Sequence, residues 1–247
     1  MNQKLKNIKN KILDILFPKH LKCMFCSEEL TETAVYDTCS QCFSTLPFIT
    51  HPCARCGEQV ADNYSSVCLK CKTNNHNFVI ARGVLEYTNK IVALVHKFKY
   101  NNKTYLAEPM VNYMAELYAK LNIFPDIVCD VPMHKDNLRK RKFNHSTLLA
   151  KTFAEKFNLT YLPVCEKVVN NKSQTSLSFA ERKINVKDVY AINKTYAKEI
   201  KGKTILIIDD VITTCATIDE VAKTLIEHGA KEVYALSFAR TNVNRET

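Results

Sequence analysis

From Phe78 onward the chain alternates between two hydrophobic rhythms. Apolar runs such as Ile127-Val128-Cys129 and Ile205-Leu206-Ile207-Ile208 lack the period-two alternation of a half-exposed strand and suit strands buried on both faces. Between such runs, apolar residues recur at helical spacing. The pattern predicts strands at 78–87, 126–131, 160–164, 204–208 and 232–238, and helices at 89–99, 105–121, 146–157 and 217–228. Strands alternating with helices predict an α/β fold with a parallel sheet. The stretch 166–200 is polar and less regular, with one helical turn expected at 179–183, and reads as an excursion from the sheet that serves as a lid or binding loop.

The first third of the chain is different. Leu5, Ile8, Ile12, Ile15 and Leu16 share one face of an amphipathic helix that Pro18 ends, with Lys4, Lys6, Lys9 and Lys11 beside it. Packing on its own protein or a partner is the preferred reading of this helix. The alternative is a basic helix lying on anionic lipid, a peripheral contact at the inner membrane face. Residues 19–76 carry little apolar material and eight of the eleven cysteines. Three segments follow: the helix at 1–18, a cysteine module at 19–76 and an α/β domain at 77–247.

The eight cysteines form four Cys-x-x-Cys pairs, at Cys23 and Cys26, Cys39 and Cys42, Cys53 and Cys56, and Cys68 and Cys71. Each such turn presents two thiolates to one ion, and two turns complete a tetrahedron, so the module predicts two zinc ions and a double zinc ribbon. Sequential pairing, one ion per consecutive quartet, is the preferred arrangement; interleaved pairing stays open. Gly57, just after Cys56, suits a tight knuckle turn, whereas Gly83 has no evident role. Four thiolates leave no open coordination position, so both ions are expected to be structural. The basic N-terminus leads to no continuous apolar core or small-residue cleavage site, which with metal-type cysteine pairs suggests a cytoplasmic protein.

The formal net charge is +10, but 28 of the 35 basic residues are Lys, Gly is scarce and Asn is abundant. That composition fits an AT-rich coding background, so the placement of charge must decide its meaning. Two clusters stand out. Lys97, Lys99 and Lys103 interleave with Phe98, Tyr100 and Tyr105, a pattern suited to single-stranded nucleic acid, where cations meet phosphates and rings stack on bases; a solvated helix face is the competing reading. Residues 135–142 carry five cations (Lys135, Arg139, Lys140, Arg141, Lys142) against one acid, and two of them are among only seven Arg in the chain.

Asp209-Asp210-Val211-Ile212-Thr213-Thr214-Cys215-Ala216-Thr217 follows a buried strand and enters an amphipathic helix. Hydroxyls and backbone N–H groups at a helix start suit a phosphate, while paired carboxylates suit sugar hydroxyls or a metal ion. An N-capped helix with solvated acids would account for either half alone. The combination resembles the phosphoribosyl pyrophosphate (PRPP) motif of type I phosphoribosyltransferases. The resemblance implies that Thr213, Thr214, Cys215, Ala216 and Thr217 grip a 5-phosphate, that Asp209 and Asp210 hold the ribose hydroxyls as the catalytic pair, and that magnesium accompanies PRPP. It further implies that the region after Val131-Pro132 is the pyrophosphate-side loop, with His134, Arg139 and Arg141 as anion contacts. The family usually has Gly where Cys215 stands, and its purine-salvage members carry an acid where this chain has Thr213.

Leu16-Phe17-Pro18 before the first cysteine pair, the cysteine module, Lys97-Phe98-Lys99-Tyr100, Val131-Pro132-Met133-His134, Leu138 to Asn144, Gln174 with Leu177, Glu181-Arg182 with Asn185-Val186, the PRPP-like loop and Ala239-Arg240-Thr241 occur in one order along the chain. In that order and spacing the chain resembles the ComF family of competence proteins. Members usually read Arg-Gly-Phe-Asn-Gln where this chain has Arg141-Lys142-Phe143-Asn144-His145, and carry Arg where Val169 stands. The resemblance implies a role in natural transformation: binding of single-stranded DNA and its import or handling in the cytoplasm beside a helicase-like ATPase and a recombination mediator; the two charge clusters offer Lys97, Lys99, Lys103, Lys135, Lys140 and Lys142 as contacts. Two alternatives are carried with it: an active magnesium-dependent phosphoribosyltransferase, and a zinc-ribbon scaffold with a vestigial transferase domain.

Overall fold

The computed structural model describes residues 21–60, 66–100, 103–170 and 188–242. The predicted N-terminal helix, the turn at 179–183 and the motif residues Gln174 to Val186 lie outside the described residues. The chain divides into two compact units, one reaching to Leu46 and the other running from Pro47. The first cysteine quartet, with the short helix α1 (Ser40–Phe43), belongs to the first unit. The second quartet, with α2 (Leu69–Thr73), belongs to the unit that contains the sheet. The boundary expected at 76/77 therefore differs from the division by packing. The physical reason is that Cys53, Cys56 and Cys68 are buried in one apolar cluster with strand and helix residues such as Ala81, Val221 and Val233.

In the larger unit the chain runs β1 (Ala81–Glu86), α3 (Asn89–Tyr100), α4 (Ala107–Tyr118), β2 (Ile127–Asp130), α5 (Lys135–Arg141), α6 (His145–Phe157), β3 (Thr160–Tyr161), β4 (Cys165–Lys167), β5 (Tyr190–Ile192), β6 (Thr204–Ile212), α7 (Ala216–Glu227) and β7 (Glu232–Arg240). The main sheet has the order β1-β7-β6-β2-β3, and every pairing in it is parallel. Its central runs are buried on both faces: Val128, Cys129, Leu206 and Ile207 have no exposed surface. Helices α4 and α6 pack on one another and on the sheet, while α7 packs against β7 and the β4–β5 hairpin. Among the described residues no helix is long and apolar enough to cross a membrane.

Three elements differ from the pattern-based expectation. The strand expected at 160–164 pairs only over Thr160–Tyr161, because Pro163 offers no N–H to extend an edge ladder. Part of the excursion at 166–200 is the antiparallel hairpin of β4 and β5, whose pairing is distant in sequence. Most consequentially, β6 does not stop at Ile208 but stays paired to β7 as far as Ile212 and Arg240. Backbone pairing is indifferent to side-chain polarity, so Asp209 and Asp210 sit inside the strand and not beyond it.

Candidate functional site

The neighbouring strand β2 leaves β6 after the pair Asp130 and Ile208. From there β2 leads through α5 and α6 to β3 on one side, whereas β6 leads through α7 to β7 on the other. Adjacent strands whose connections depart in opposite directions leave a crevice at their carboxyl ends, the usual ligand position in open α/β sheets. A cavity of about 880 Å³ opens there. Asp209, Asp210, Thr213, Cys215 and Thr217 line it from β6 and the loop into α7; His134 and Arg141 line it from the β2 side, and Lys99 from α3.

The acids are held from several directions. Asp209 Oδ1 accepts the Ser146 hydroxyl at 2.7 Å and the Asp210 amide at 2.9 Å. Lys99 Nζ lies 2.9 Å from Asp210 Oδ1. Burial, and then the neighbouring Asp210 charge, push the Asp209 carboxyl up to about 7, against the pull of Ser146 and Lys99. Beneath this pair Asp130 accepts from Asn144 at 2.9 Å, Tyr161 at 2.7 Å and Thr147 at 2.5 Å, which ties β2 to the start of α6 and to β3. Asn144 also donates to the Val131 carbonyl at 2.9 Å, fixing the path of the chain after β2. His145 is buried between the Phe98 and Phe143 rings, and burial holds its imidazole below the usual range. Among the described residues His145 Nε2 and Thr241 Oγ1 are buried without a hydrogen-bond partner, and both residues line the cavity.

A raised carboxyl makes stability depend on pH. The folded state keeps the Asp209 proton up to about pH 7, whereas an unfolded carboxyl releases it near its ordinary value of 3.8. Stability contributed by this group therefore falls as pH rises through that window and is level above it. Asp209→Asn retains an acceptor for Ser146 and is expected to stabilise the protein at pH 8 by on the order of 1–3 kcal/mol, with little effect near pH 4. Thermal melts at the two pH values check this; a larger gain at pH 4 would contradict it.

The remaining sequence candidates are distributed differently. Thr214 and Ala216 face a second cavity of about 150 Å³, shared with Cys56, Cys71 and Arg240. The basic cluster is the helix α5 and not a loop, since His134 caps it by accepting the Asp136 amide at 3.3 Å. On α5 only Arg141 among the basic residues reaches the large cavity; Arg139 is 79% exposed and pairs with Asp136 at 4.0 Å, and Lys135 and Lys140 point to solvent, as does Lys142 just beyond. Lys97 and Lys103 do not line the cavity. Phe98 has no exposed surface, so the interleaved-aromatic strip loses one of its rings to the core. Tyr100 is half exposed, with the Arg141 guanidinium 5.0 Å from its ring centre and bonded to its hydroxyl at 3.1 Å.

Both positions where the resemblance leads to an expectation of Gly adopt left-handed backbone: Lys142 at φ 68° and Cys215 at φ 66°. Side chains resist that conformation by roughly 1–2 kcal/mol, which accounts for that expectation.

The two cysteine quartets are sequential. In each, the four Sγ atoms lie within 4.8 Å of one another. Tetrahedral zinc with bonds of about 2.3 Å requires thiolate separations of about 3.8 Å, and Cys26 to Cys39 and Cys56 to Cys68 measure 3.8 and 3.7 Å. Both quartets thus fit zinc. Gly57, at φ +71°, turns the second knuckle so closely onto the sheet that a Cβ would fall 2.4 Å from the Ala81 carbonyl.

The second knuckle is joined to the loop after β6 through Arg240, a residue that sequence reasoning left without a role. Its Nε donates to the Cys56 carbonyl at 2.9 Å, and its Nη1 donates to the carbonyls of Ile212, at 3.2 Å, and Thr213. Its Nη2 lies 3.9 Å from Glu58, which Lys70 approaches at 3.5 Å. Gly83 is explained by the same contact: a Cβ there would fall 2.6 Å from Arg240 Cβ. Arg82 adds bonds to the carbonyls of Cys53 at 3.1 Å and Ala54 at 3.0 Å.

Residues 12–72 match the family described as "Double zinc ribbon domain", and residues 145–246 match "Phosphoribosyl transferase domain". Over 227 residues the chain is 23% identical to Competence protein F of Haemophilus influenzae, covering 90% of this chain and 97% of that protein. It is 26% identical over 225 residues to DNA utilization protein YhgH of Salmonella typhimurium, covering 89% and 96%. It is 25% identical over 229 residues to Competence protein ComFC of Bacillus subtilis, covering 85% and 90%. Over nearly its whole length the chain is thus similar to competence proteins of the ComF family. It combines a parallel-sheet, phosphoribosyltransferase-like α/β domain with an N-terminal double zinc ribbon. The cavity described above lies in that α/β domain, and the second ribbon packs against the same apolar core.

Proposed function

We propose that this ComF-like protein supports natural transformation by binding single-stranded DNA and assisting its handling in the cytoplasm, and that its large cavity holds PRPP or a related phosphoribosyl ligand. The observation that carries the ligand assignment is the placement of the Asp209–Asp210 pair inside the end of β6, in one cavity with Thr213, Thr217 and Arg141. Carboxylates there suit ribose hydroxyls, and hydroxyls and a guanidinium suit phosphate oxygens. The orphaned His145 Nε2 and Thr241 Oγ1 offer further polar contacts to a bound molecule. Asp209 and Asp210 are hard oxygen donors of the kind that hold Mg²⁺, which would supply charge neutralisation for a pyrophosphate group. The cavity's volume of about 880 Å³, near the top of the ~300–1,000 Å³ range of small-molecule pockets, also leaves room for an acceptor and so favours transferase activity as the second reading.

For DNA, the supporting feature is the exposed face of α5, where Lys135, Arg139 and Lys140 stand beside the Arg141–Tyr100 stack. Cations on a helix face next to an exposed ring suit a flexible phosphate backbone with unstacked bases. Replacing Lys135, Arg139 and Lys140 together by Ala is expected to weaken single-stranded DNA binding by at least about tenfold and to reduce the slope of log K against log salt by roughly 2. The same variant in a deletion strain should depress transformation frequency. Unchanged affinity and slope would rule out α5 as the contact, and an unchanged frequency after deletion of the gene would reject the biological role.

A further inference from the structure

The acidic pair already carries a cation supplied by the chain. Asp209 Oδ1 is filled by the Ser146 hydroxyl and the Asp210 amide, and Asp210 Oδ1 by the Lys99 ammonium at 2.9 Å. Lys99 comes from the last turn of α3, on the far wall of the cavity, where buried Phe98 fixes the helix behind it. Its side chain is 26% exposed and Asp210 only 7%, so the lysine is the more accessible member of the pair, and both line the cavity. A long unbranched side chain in that position can leave its partner without disturbing the core.

Two cations cannot share this carboxylate comfortably. A divalent ion arriving at Asp210 would meet the ammonium within a few ångströms and be repelled by it, in surroundings less screening than water. Displaced without a new partner, Lys99 would lose its ion pair. A ligand bearing phosphate groups removes the conflict, because it places anionic oxygens in the same cavity that Lys99 lines.

We propose that Lys99 is a resident cation that closes the acidic pair and transfers to an anionic group of the phosphoribosyl ligand when a divalent ion takes its place on Asp210. This rests on the phosphoribosyl reading of the cavity. It makes Lys99 a residue of ligand selection and not a member of a DNA-binding strip. Ion and ligand then bind as a coupled set: each raises the affinity of the other, and the acidic pair discriminates against a bare divalent ion and against a sugar without phosphate.

The test is Mn²⁺ binding, followed by the loss of the free-ion electron paramagnetic resonance signal, to the full zinc-loaded chain with and without PRPP. Lys99→Met is expected to bind Mn²⁺ alone at least about tenfold more tightly than the parent, and to gain less from added PRPP. Adding Asp210→Asn to Lys99→Met should abolish that gain, which assigns the ion to the acidic pair. Lys99→Gln, read beside circular dichroism, repeats the measurement with a polar replacement. Equal Mn²⁺ affinity in the parent and both Lys99 variants, with PRPP still enhancing it, overturns the exchange and leaves the phosphoribosyl reading standing. If PRPP alters Mn²⁺ affinity in none of the proteins, the exchange fails together with that reading.

Discussion

Cys53→Ser is expected to abolish PRPP binding along with the second zinc, although Cys53 is not among the residues lining the large cavity. Structural zinc contributes apparent binding energies of about 10–16 kcal/mol in small zinc-dependent folds, comparable with or larger than the net stability of an ordinary domain. Here that energy holds a knuckle on which the loop after β6 rests. Arg240 joins the Cys56 carbonyl to those of Ile212 and Thr213, and Cys215 Sγ reaches toward the Cys56 carbonyl at 3.9 Å. Without the metal, four buried or half-buried thiols lose the ion that gathers them, and the shared apolar cluster loses part of its wall. Zinc content, near-ultraviolet circular dichroism and calorimetry with PRPP should fall together. Cys26→Ser, in the separately packed quartet, is expected to lose one zinc with PRPP affinity retained. A Cys53→Ser protein with one zinc and full PRPP affinity would contradict the coupling.

Arg240→Met should be the most destabilising single change outside the cysteines. Arg240 and Glu58 are each about 2% exposed; Lys70 stays with Glu58 at 3.5 Å, so losing the guanidinium costs part of the about 3–5 kcal/mol expected when a buried ion pair is broken. Three carbonyls, those of Cys56, Ile212 and Thr213, also lose a donor. For a chain of this size the melting temperature should drop by roughly 10 °C or more. Adding Glu58→Gln removes the less fully compensated buried charge and should recover part of the loss, because contacting residues are not additive. An unshifted melting temperature in Arg240→Met would show that the ribbon and the loop are held by other contacts.

What was legible in the sequence was what local pattern determines. Apolar runs reveal buried parallel strands because both faces of such strands are covered, and Cys-x-x-Cys spacing reveals ribbons because a turn must present both thiolates to one ion. The acids and hydroxyls before α7 were legible for the same reason: they are contiguous. Contacts made across the fold were not. Asp209 and Asp210 look like the start of a loop until β7 is seen pairing beside them. Lys99 reads as one more lysine in a Lys-rich strip, although it falls four residues after buried Val95 and so shares part of its helical face, a cue available in advance. Ser146 reaches Asp209 from 63 positions away, and Arg240 reaches Cys56 from 184. No window of sequence contains either pair. The region after Val131-Pro132, a loop by resemblance to the transferases, holds a seven-residue helix capped by His134, too short and too charged to show an apolar period.

The central claim is that the crevice between β6 and β2 is a phosphoribosyl site built on the Asp209–Asp210 pair. Isothermal titration of the full zinc-loaded chain with PRPP in the presence of Mg²⁺, repeated with Asp210→Asn, tests it most directly. Saturable one-to-one binding is expected in the parent and a loss of at least about tenfold in the variant, corresponding to at least about 1.4 kcal/mol. Absence of PRPP binding in the parent, or equal affinity in Asp210→Asn, would contradict it.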